Sequence, residues 1–430
     1  MFLSNDILCV EKSLMPSNKS FSEIKIEICT EIQPYFEIVD TIYSQNFKKI
    51  LEAFQQTKIS SFHFNPSYGY GLFDEGTKAV EKLFAKIYKA ESAIVRPQII
   101  SGTQALFLVL NSLLSRKDTF ISILGSPYET LKGCIGIEGN YPGNLLEKGI
   151  DYQEINILDK YHPGEYKKLI QKAKLVWIQK SRGYGNRRTV SNFQIKEMID
   201  EIHAIKPDII VAVDNCYGEF VETIEPIEAG ADICAGSFLK NPGGGITKTG
   251  GYIVGQKDLV ERCASNLIAP GLGFETTPNL GFIPQILQGL FHSPTTVRES
   301  LKGNLFLARF MDKLGFTVTP KFSEEHFDIV LKVNFPSPEL LIQFSKHLQA
   351  CSPIDSYVEP IPFQQEGYMS PIIMAGGTFT HGSSIEFTAD GFTKAPYNLY
   401  YQPGMYAEQS IILAERLWSD SLFRADIKDY

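Results

Sequence analysis

The sequence predicts an α/β protein, with a large domain on a mostly parallel sheet and a smaller C-terminal α/β domain. Three observations carry this. From about residue 93, short apolar runs alternate with amphipathic segments of helix length, the order of parallel strands joined by crossover helices. Near residue 295 a second set of helices and strands begins. The chain has 430 residues, enough for one large core and a smaller one.

Taken in order, residues 1–60 read as a charged, amphipathic helical arm outside the main core, with FSEIKIEICTEIQPYFEIVDTIYSQNFKKILEAFQQ as its clearest stretch. Residues 61–294 form the large domain. It opens on the aromatic, glycine-rich SFHFNPSYGYGLFDEGT, which is not one regular element, followed by a helix through KAVEKLFAKIYKA. Strands are expected at AIVRP, TFISIL, KLVWIQK, DIIVAVDN, ADICAGSF and GGYIVG. Helices are expected at QALFLVLNSLL, GEYKKLIQKA and SNFQIKEMIDEIHAI. Ligands of such sheets bind beyond the carboxyl ends of the strands. Residues 295–430 form the small domain: helices at VRESLKGNLFLARFMDKLG, LIQFSKHLQA and QSIILAERLW, strands at FDIVLKVNF and PIIMAGGTF.

Composition narrows the function classes. Forty-one basic and forty-nine acidic residues leave a formal charge of −8, and the short pairs Lys167-Lys168 and Arg187-Arg188 make no nucleic-acid patch. The seven cysteines, Cys9, Cys29, Cys134, Cys216, Cys234, Cys263 and Cys351, are scattered without a CxxC. No Cys/His grouping has zinc-ligand spacing, so no metal is expected. MFLSNDILCVEKSL lacks the basic and apolar regions of a signal peptide, and no apolar run is long enough to span a bilayer. A soluble, cytoplasmic protein is expected, with no membrane partner. There is no GxGxxG, Walker loop or GxSxG.

The chemistry concentrates in three places. ADICAGSFLKNPGGGITKTGGY puts Lys240 at a strand end before a glycine cluster. A lysine there can form a Schiff base if burial and neighbouring positive charge lower its pKa. Lys248 is its competitor, but follows the glycines; an ordinary loop lysine is the plainer reading. Asp214 ends the strand of VAVDNCYGEF and could hold a pyridine nitrogen protonated. Asn215 and Glu219 are less directly placed, and a turn-capping aspartate is the alternative. In IISGTQAL, Ser101, Gly102, Thr103 and Gln104 open a helix whose N–H groups and hydroxyls suit a phosphate, though a simple N-cap would look the same. Together these point to pyridoxal 5′-phosphate.

Further candidates surround them. Ser237, three residues before Lys240, could reach the same phosphate. Tyr128 in GSPYETL could stack on the pyridine ring or pack in the core. Tyr68 or Tyr70 in PSYGYG could donate to phosphate or assist proton transfer. Arg182 in QKSRGY could clamp a phosphate or carboxylate, or make a structural ion pair.

With these residues the chain resembles the methionine gamma-lyase-related family once labelled aluminium resistance proteins, among the fold-type I pyridoxal-phosphate enzymes. The matching segments are GYG at 69–71, VRPQIISGTQA at 95–105, QKSRGY at 179–184, VDNCYGEF at 213–220, GSFLKNPGGGI at 236–246 and GGTFTHGSSIEFTADG at 376–391. The resemblance implies a transferase-like fold with a seven-stranded sheet. It implies Lys240 as the Schiff-base lysine and Asp214 as the pyridinium partner. Gly102, Thr103 and Ser237 would hold the phosphate and Tyr128 would stack. The substrate would be a sulfur-containing amino acid, cleaved by β- or γ-elimination. It also implies a homodimer or homotetramer with shared sites, to which Tyr68 or Tyr70 would come from the neighbouring chain. Aminotransferase or aldolase-like chemistry, or a non-catalytic cofactor-binding protein, are the alternatives. The chain departs from the family where arginines are expected, having Gly76-Thr77 and Lys394, which bears on phosphate and carboxylate binding.

Overall fold

A computed structural model describes residues 19–139, 141–158, 163–365, 368 and 370–424. The reading of MFLSNDILCVEKSL and of Cys9 lies outside them. The large sheet has seven strands: β1 (Ser92–Arg96), β2 (Thr119–Ser122), β3 (Asp151–Glu154), β4 (Leu175–Gln179), β5 (Ile210–Asp214), β6 (Ile233–Ser237) and β7 (Gly251–Gly255). Their order is β1-β7-β6-β5-β4-β2-β3. β3, β2, β4, β5 and β6 run parallel, and β7 runs antiparallel to β6 and β1. The expected fold class, mostly parallel and seven-stranded, is what the chain adopts.

The helices are α1 (Phe21–Thr57), α2 (Glu75–Tyr88), α3 (Gly102–Leu113), α4 (Glu129–Ile135), α5 (Pro163–Lys172), α6 (Asn192–Ile205), α7 (Lys257–Leu267), α8 (Ile283–Lys313), α9 (Pro338–Ala350), α10 (Ala407–Ser419) and α11 (Ser421–Arg424). Central strands such as β4 and β5 are buried at every residue, as a sheet covered on both faces requires. Successive residues alternate between two cores. Leu175, Trp177, Ile210 and Ala212 pack with residues of α3 and α7. Val176, Ile178, Val211 and Val213 pack with residues of α2, α5, α6 and α8.

The smaller sheet contains β8 (Thr317–Thr319), β9 (Leu331–Asn334), β10 (Ile372–Ala375), β11 (Thr388–Phe392) and β12 (Asn398–Gln402). Its order is β10-β11-β12-β9-β8, antiparallel throughout. Its core takes Phe306, Phe310 and Met311 of α8, Leu341 and Phe344 of α9, and Leu413 and Leu417 of α10.

Two helices tie the halves together. The helix expected outside the main core is instead a single 37-residue element whose apolar face is buried at both ends. Ile24, Ile28 and Ile32 of α1 join the small-sheet core, while Val39, Ile50 and Ala53 join the large one. α8 does the same, with Ile286 and Leu290 in one core and Phe306 and Phe310 in the other. Among the described residues no helix is long and apolar enough to cross a membrane.

Candidate active site

The carboxyl ends of β5 and β6 open into a cavity of about 190 Å³ whose walls include Ser101, Gly102, Thr103, Tyr128, Asp214, Ser237 and Lys240. Seven sequence-predicted residues from four separate segments therefore meet in one place. Lys248, the competing lysine, is exposed. Asn215 and Glu219 face other partners: Asn215 Nδ2 donates to Glu225 Oε2 at 2.9 Å, and Tyr252 donates to Glu219 Oε1 at 2.9 Å.

Asp214 is the last residue of β5 and is buried. Among the described residues its donors are the Cys216 backbone N–H, at 3.0 Å from Oδ1, and the Cys216 thiol. Burial raises its pKa, against those bonds and the charges of Lys240 and Arg187. A buried carboxylate with such modest support is suited to a cationic partner.

Lys240 follows β6 at the start of a short turn of Asn241–Gly243. Its Nζ lies 3.4 Å from the centroid of the Tyr217 ring and donates to Ser384 Oγ at 3.4 Å. The expectation of cationic neighbours is not met. Burial favours the neutral amine, but Tyr217, Cys216 and Asp214 outweigh it and raise the pKa.

The α3 N-terminus forms another wall. Ser101 is the N-cap, its Oγ accepting the Gln104 N–H at 3.1 Å. Gln104 turns back instead of facing the cavity, and its Oε1 accepts the Ile100 N–H at 2.8 Å. Ahead of the first intrahelical bond, the N–H groups of Gly102 and Thr103 suit an anion. Gly102 is small because a Cβ there would stand 3.1 Å from Ser237 Cβ and 3.4 Å from Cys216 Sγ. The Thr103 hydroxyl is oriented by Thr130, 2.7 Å away.

Tyr128 begins α4, its N–H donating to Gln179 Oε1 at 2.7 Å. Its hydroxyl lies 2.8 Å from that of Tyr368 and 3.5 Å from that of Tyr184. Tyr184 in turn donates to Asp390 Oδ2 at 2.8 Å. Burial lifts the Asp390 carboxyl to about 6, against the Tyr184 bond and the Lys240 charge, and pushes the Tyr128 phenol well up.

Three further predicted residues stand apart. Arg182 is buried behind the cavity wall, where burial lowers its pKa and Asp328 opposes that effect. Tyr68 is 70% exposed and outside the cavity, as is Tyr70 at 68%. Sequence reasoning assigned no role to Tyr217, Ser384, Thr130 or Cys216, which line the cavity. Tyr217, Cys216 and Ser384 lie within the quoted VDNCYGEF and GSSIEF segments, which is the signal that could have found them. No grouping of three or more His, Cys, Asp or Glu suited to a metal occurs among the described residues.

The cavity fits pyridoxal 5′-phosphate: an anion-binding helix end, a buried carboxylate short of partners and a lysine amine share one small space. Comparisons with known proteins agree. The family profile described as methionine gamma-lyase matches residues 21–419. A Listeria monocytogenes structure, provisionally described as a cystathionine beta-lyase involved in aluminium resistance, is 41% identical with a TM-score of 0.89. The match covers 92% of this chain and 98% of that one. A Clostridium novyi structure, described as a carbon-sulfur lyase involved in aluminium resistance, is 39% identical with a TM-score of 0.87, covering 92% and 96%. YnbB of Bacillus subtilis is 40% identical over 385 residues, 88% of this chain and 91% of YnbB.

Proposed function

The chain belongs to the methionine gamma-lyase family, whose members are pyridoxal-phosphate-dependent carbon–sulfur lyases, and from that premise we propose that it cleaves a sulfur-containing amino acid by β- or γ-elimination in the cytoplasm. The observation that carries this is the meeting of Lys240, Asp214 and the α3 N-terminus around one cavity.

Pyridoxal 5′-phosphate, when bound, supplies an aldehyde for the Lys240 amine and a ring that takes up the electron pair left by Cα–H cleavage. The residues then have separate tasks. The N–H groups of Gly102 and Thr103, with the hydroxyls of Ser101, Thr103 and Ser237, hold the phosphate. Asp214 would keep the ring nitrogen protonated. Tyr128 would pack on the ring. Released by the incoming amino group, Lys240 takes the proton from Cα. In β-elimination the thiolate then leaves; in γ-elimination a proton must first come off Cβ. Arg182 and Gln104 support the walls through the 180–187 loop and the α3 cap.

The 62–73 loop supports a homo-oligomeric reading. Phe62, Tyr68, Tyr70, Leu72 and Phe73 are all exposed large side chains on it, and such a patch suits a second copy of the chain.

The test is the visible absorption of purified protein with added pyridoxal 5′-phosphate, for wild type and K240A. Ammonia, thiol and 2-oxo acid are assayed with L-cystathionine, L-methionine and L-cysteine. A cofactor band lost in K240A, with ammonia and thiol in equal amounts, supports the reading. Formation of pyridoxamine phosphate without ammonia would make the protein an aminotransferase. A wild type with no band overturns the cofactor assignment.

A further inference from the structure

Lys240 must serve twice in the proposed reaction, holding the cofactor and then, detached, acting as a base. A lysine side chain has four rotatable bonds, and once detached it needs something to keep its amine in reach. The cavity contains such a device, built from two residues with no role in the reading above.

Tyr217 lies under the amine, with Nζ 3.4 Å from the ring centroid, a cation–π approach within the strong range for a desolvated pair. Its hydroxyl donates to Ser384 Oγ at 2.9 Å, and Ser384 Oγ accepts from Lys240 Nζ at 3.4 Å. The three groups close a ring of contacts around the amine. Tyr217 reaches this position with a left-handed backbone, φ 69°, which is rare and costly for a residue with a bulky side chain. Its neighbours hold it there: Asn241, next to Lys240, donates from Nδ2 to the Tyr217 carbonyl at 3.0 Å and to the Glu219 carbonyl at 2.9 Å. Backbone strain maintained by surrounding bonds gathers at working sites.

Ser384 comes from the other half of the molecule, on the segment leading into β11. Its backbone N–H donates to the Leu239 carbonyl, one residue before the lysine, at 3.0 Å. The grip on Lys240 is thus shared between the β5–β6 loops of the large sheet and the small-sheet segment, and it is complete only when the two are docked.

We infer that Tyr217 and Ser384 are positioning residues that clamp the detached Lys240 amine over the Tyr217 ring, so that its return as a base depends on the contact between the two sheets. This rests on Lys240 being the cofactor-binding lysine. The serine fixes the direction of the neutral amine, and the ring face stabilises the positive charge that develops on Nζ as it takes the Cα proton. Both raise the energy of a lysine that swings away.

The test uses the holoenzyme of wild type, Y217F, Y217L and S384A. Three quantities are read: bound cofactor per chain, the pH at which its visible band changes form, and kcat and KM for the best substrate. Y217L is expected to keep the cofactor, shift the spectral titration and lose about a hundredfold in kcat with little change in KM, the size of penalty that misplacing a reacting group carries. Y217F keeps the ring and is expected to lose less, about as much as S384A. Deuterium exchange at Cα in heavy water should slow in step with kcat. Variants that match wild type in titration and kcat overturn the clamp. So do variants whose kcat falls only as their cofactor content falls, since that marks a role in folding alone. A wild type without the band overturns the cofactor reading and the clamp together, whereas a wild-type band with unaffected variants overturns only the clamp.

Discussion

Asp214 and Cys216 are joined across the end of β5, the Cys216 backbone N–H donating to the Asp214 carboxylate at 3.0 Å. The bond fixes the carboxylate without neutralising it. Asparagine would keep the shape and lose the charge. D214N is therefore expected to fold and to bind cofactor more weakly, with kcat lowered about 10²–10³-fold, the range for removal of one preorganised electrostatic partner. Steady-state kinetics at saturating cofactor check this, and a D214N enzyme at wild-type kcat would exclude Asp214 as the ring partner.

Glu219 gives a pH-dependent stability. It is fully buried against Tyr252, and burial lifts its pKa from 4.5 to about 8, Glu225 adding to the effect while its own backbone N–H, Tyr252 and Lys240 oppose it. The folded state therefore holds this proton more tightly than the unfolded state does. The associated stability is full below about pH 4.5 and is lost as pH rises toward 8, by at most about 1.4 kcal/mol per pH unit. E219Q cannot titrate. Its melting temperature should fall less steeply than that of wild type between these limits; parallel curves would remove Glu219 as the cause.

Phe84 of α2 sits under the site. Its ring meets those of Phe238, Tyr252 and Tyr88 at 5.4, 5.8 and 5.9 Å, and Phe238 lies two residues before Lys240. F84A should cost about 3–5 kcal/mol in unfolding free energy. Urea denaturation measures it, and a loss below about 1 kcal/mol would mean the space is refilled by neighbours.

Lys180 has a fully buried side chain and pairs with Glu222 at 2.6 Å. Glu222 also accepts the Asn192 N–H at 3.0 Å. E222A would strand a buried ammonium and is expected to destabilise by about 3–5 kcal/mol, whereas K180M/E222L should cost less than E222A alone. A double variant no better than the single one would show that Glu222 matters through Asn192.

Much of the site was legible because its chemistry is local. A lysine before a glycine cluster, an aspartate ending an apolar run and a Ser-Gly-Thr turn are each signals within a few residues, and the parallel strands between them were readable as apolar runs. β3 was not legible: DYQE is an edge strand, mostly exposed, with no apolar alternation. β11 and β12 are held by antiparallel partners, and their glycine and tyrosines make no regular pattern. Tyr217 and Ser384 lie 167 residues apart in sequence, a pairing that only the docking of the two sheets creates. α1 was recognised as a helix, but its burial depends on partners at both ends that no local pattern names.

α1 and α8 work as a pair of girders. Each is continuous from one sheet to the other, and a girder transmits load instead of absorbing it. The two sheets should then melt together, as one cooperative unit, and damage to the packing of either should be felt by both. Opening and closing of the cavity falls to its loops, since a wide swing of one half against the other would have to bend two helices at once.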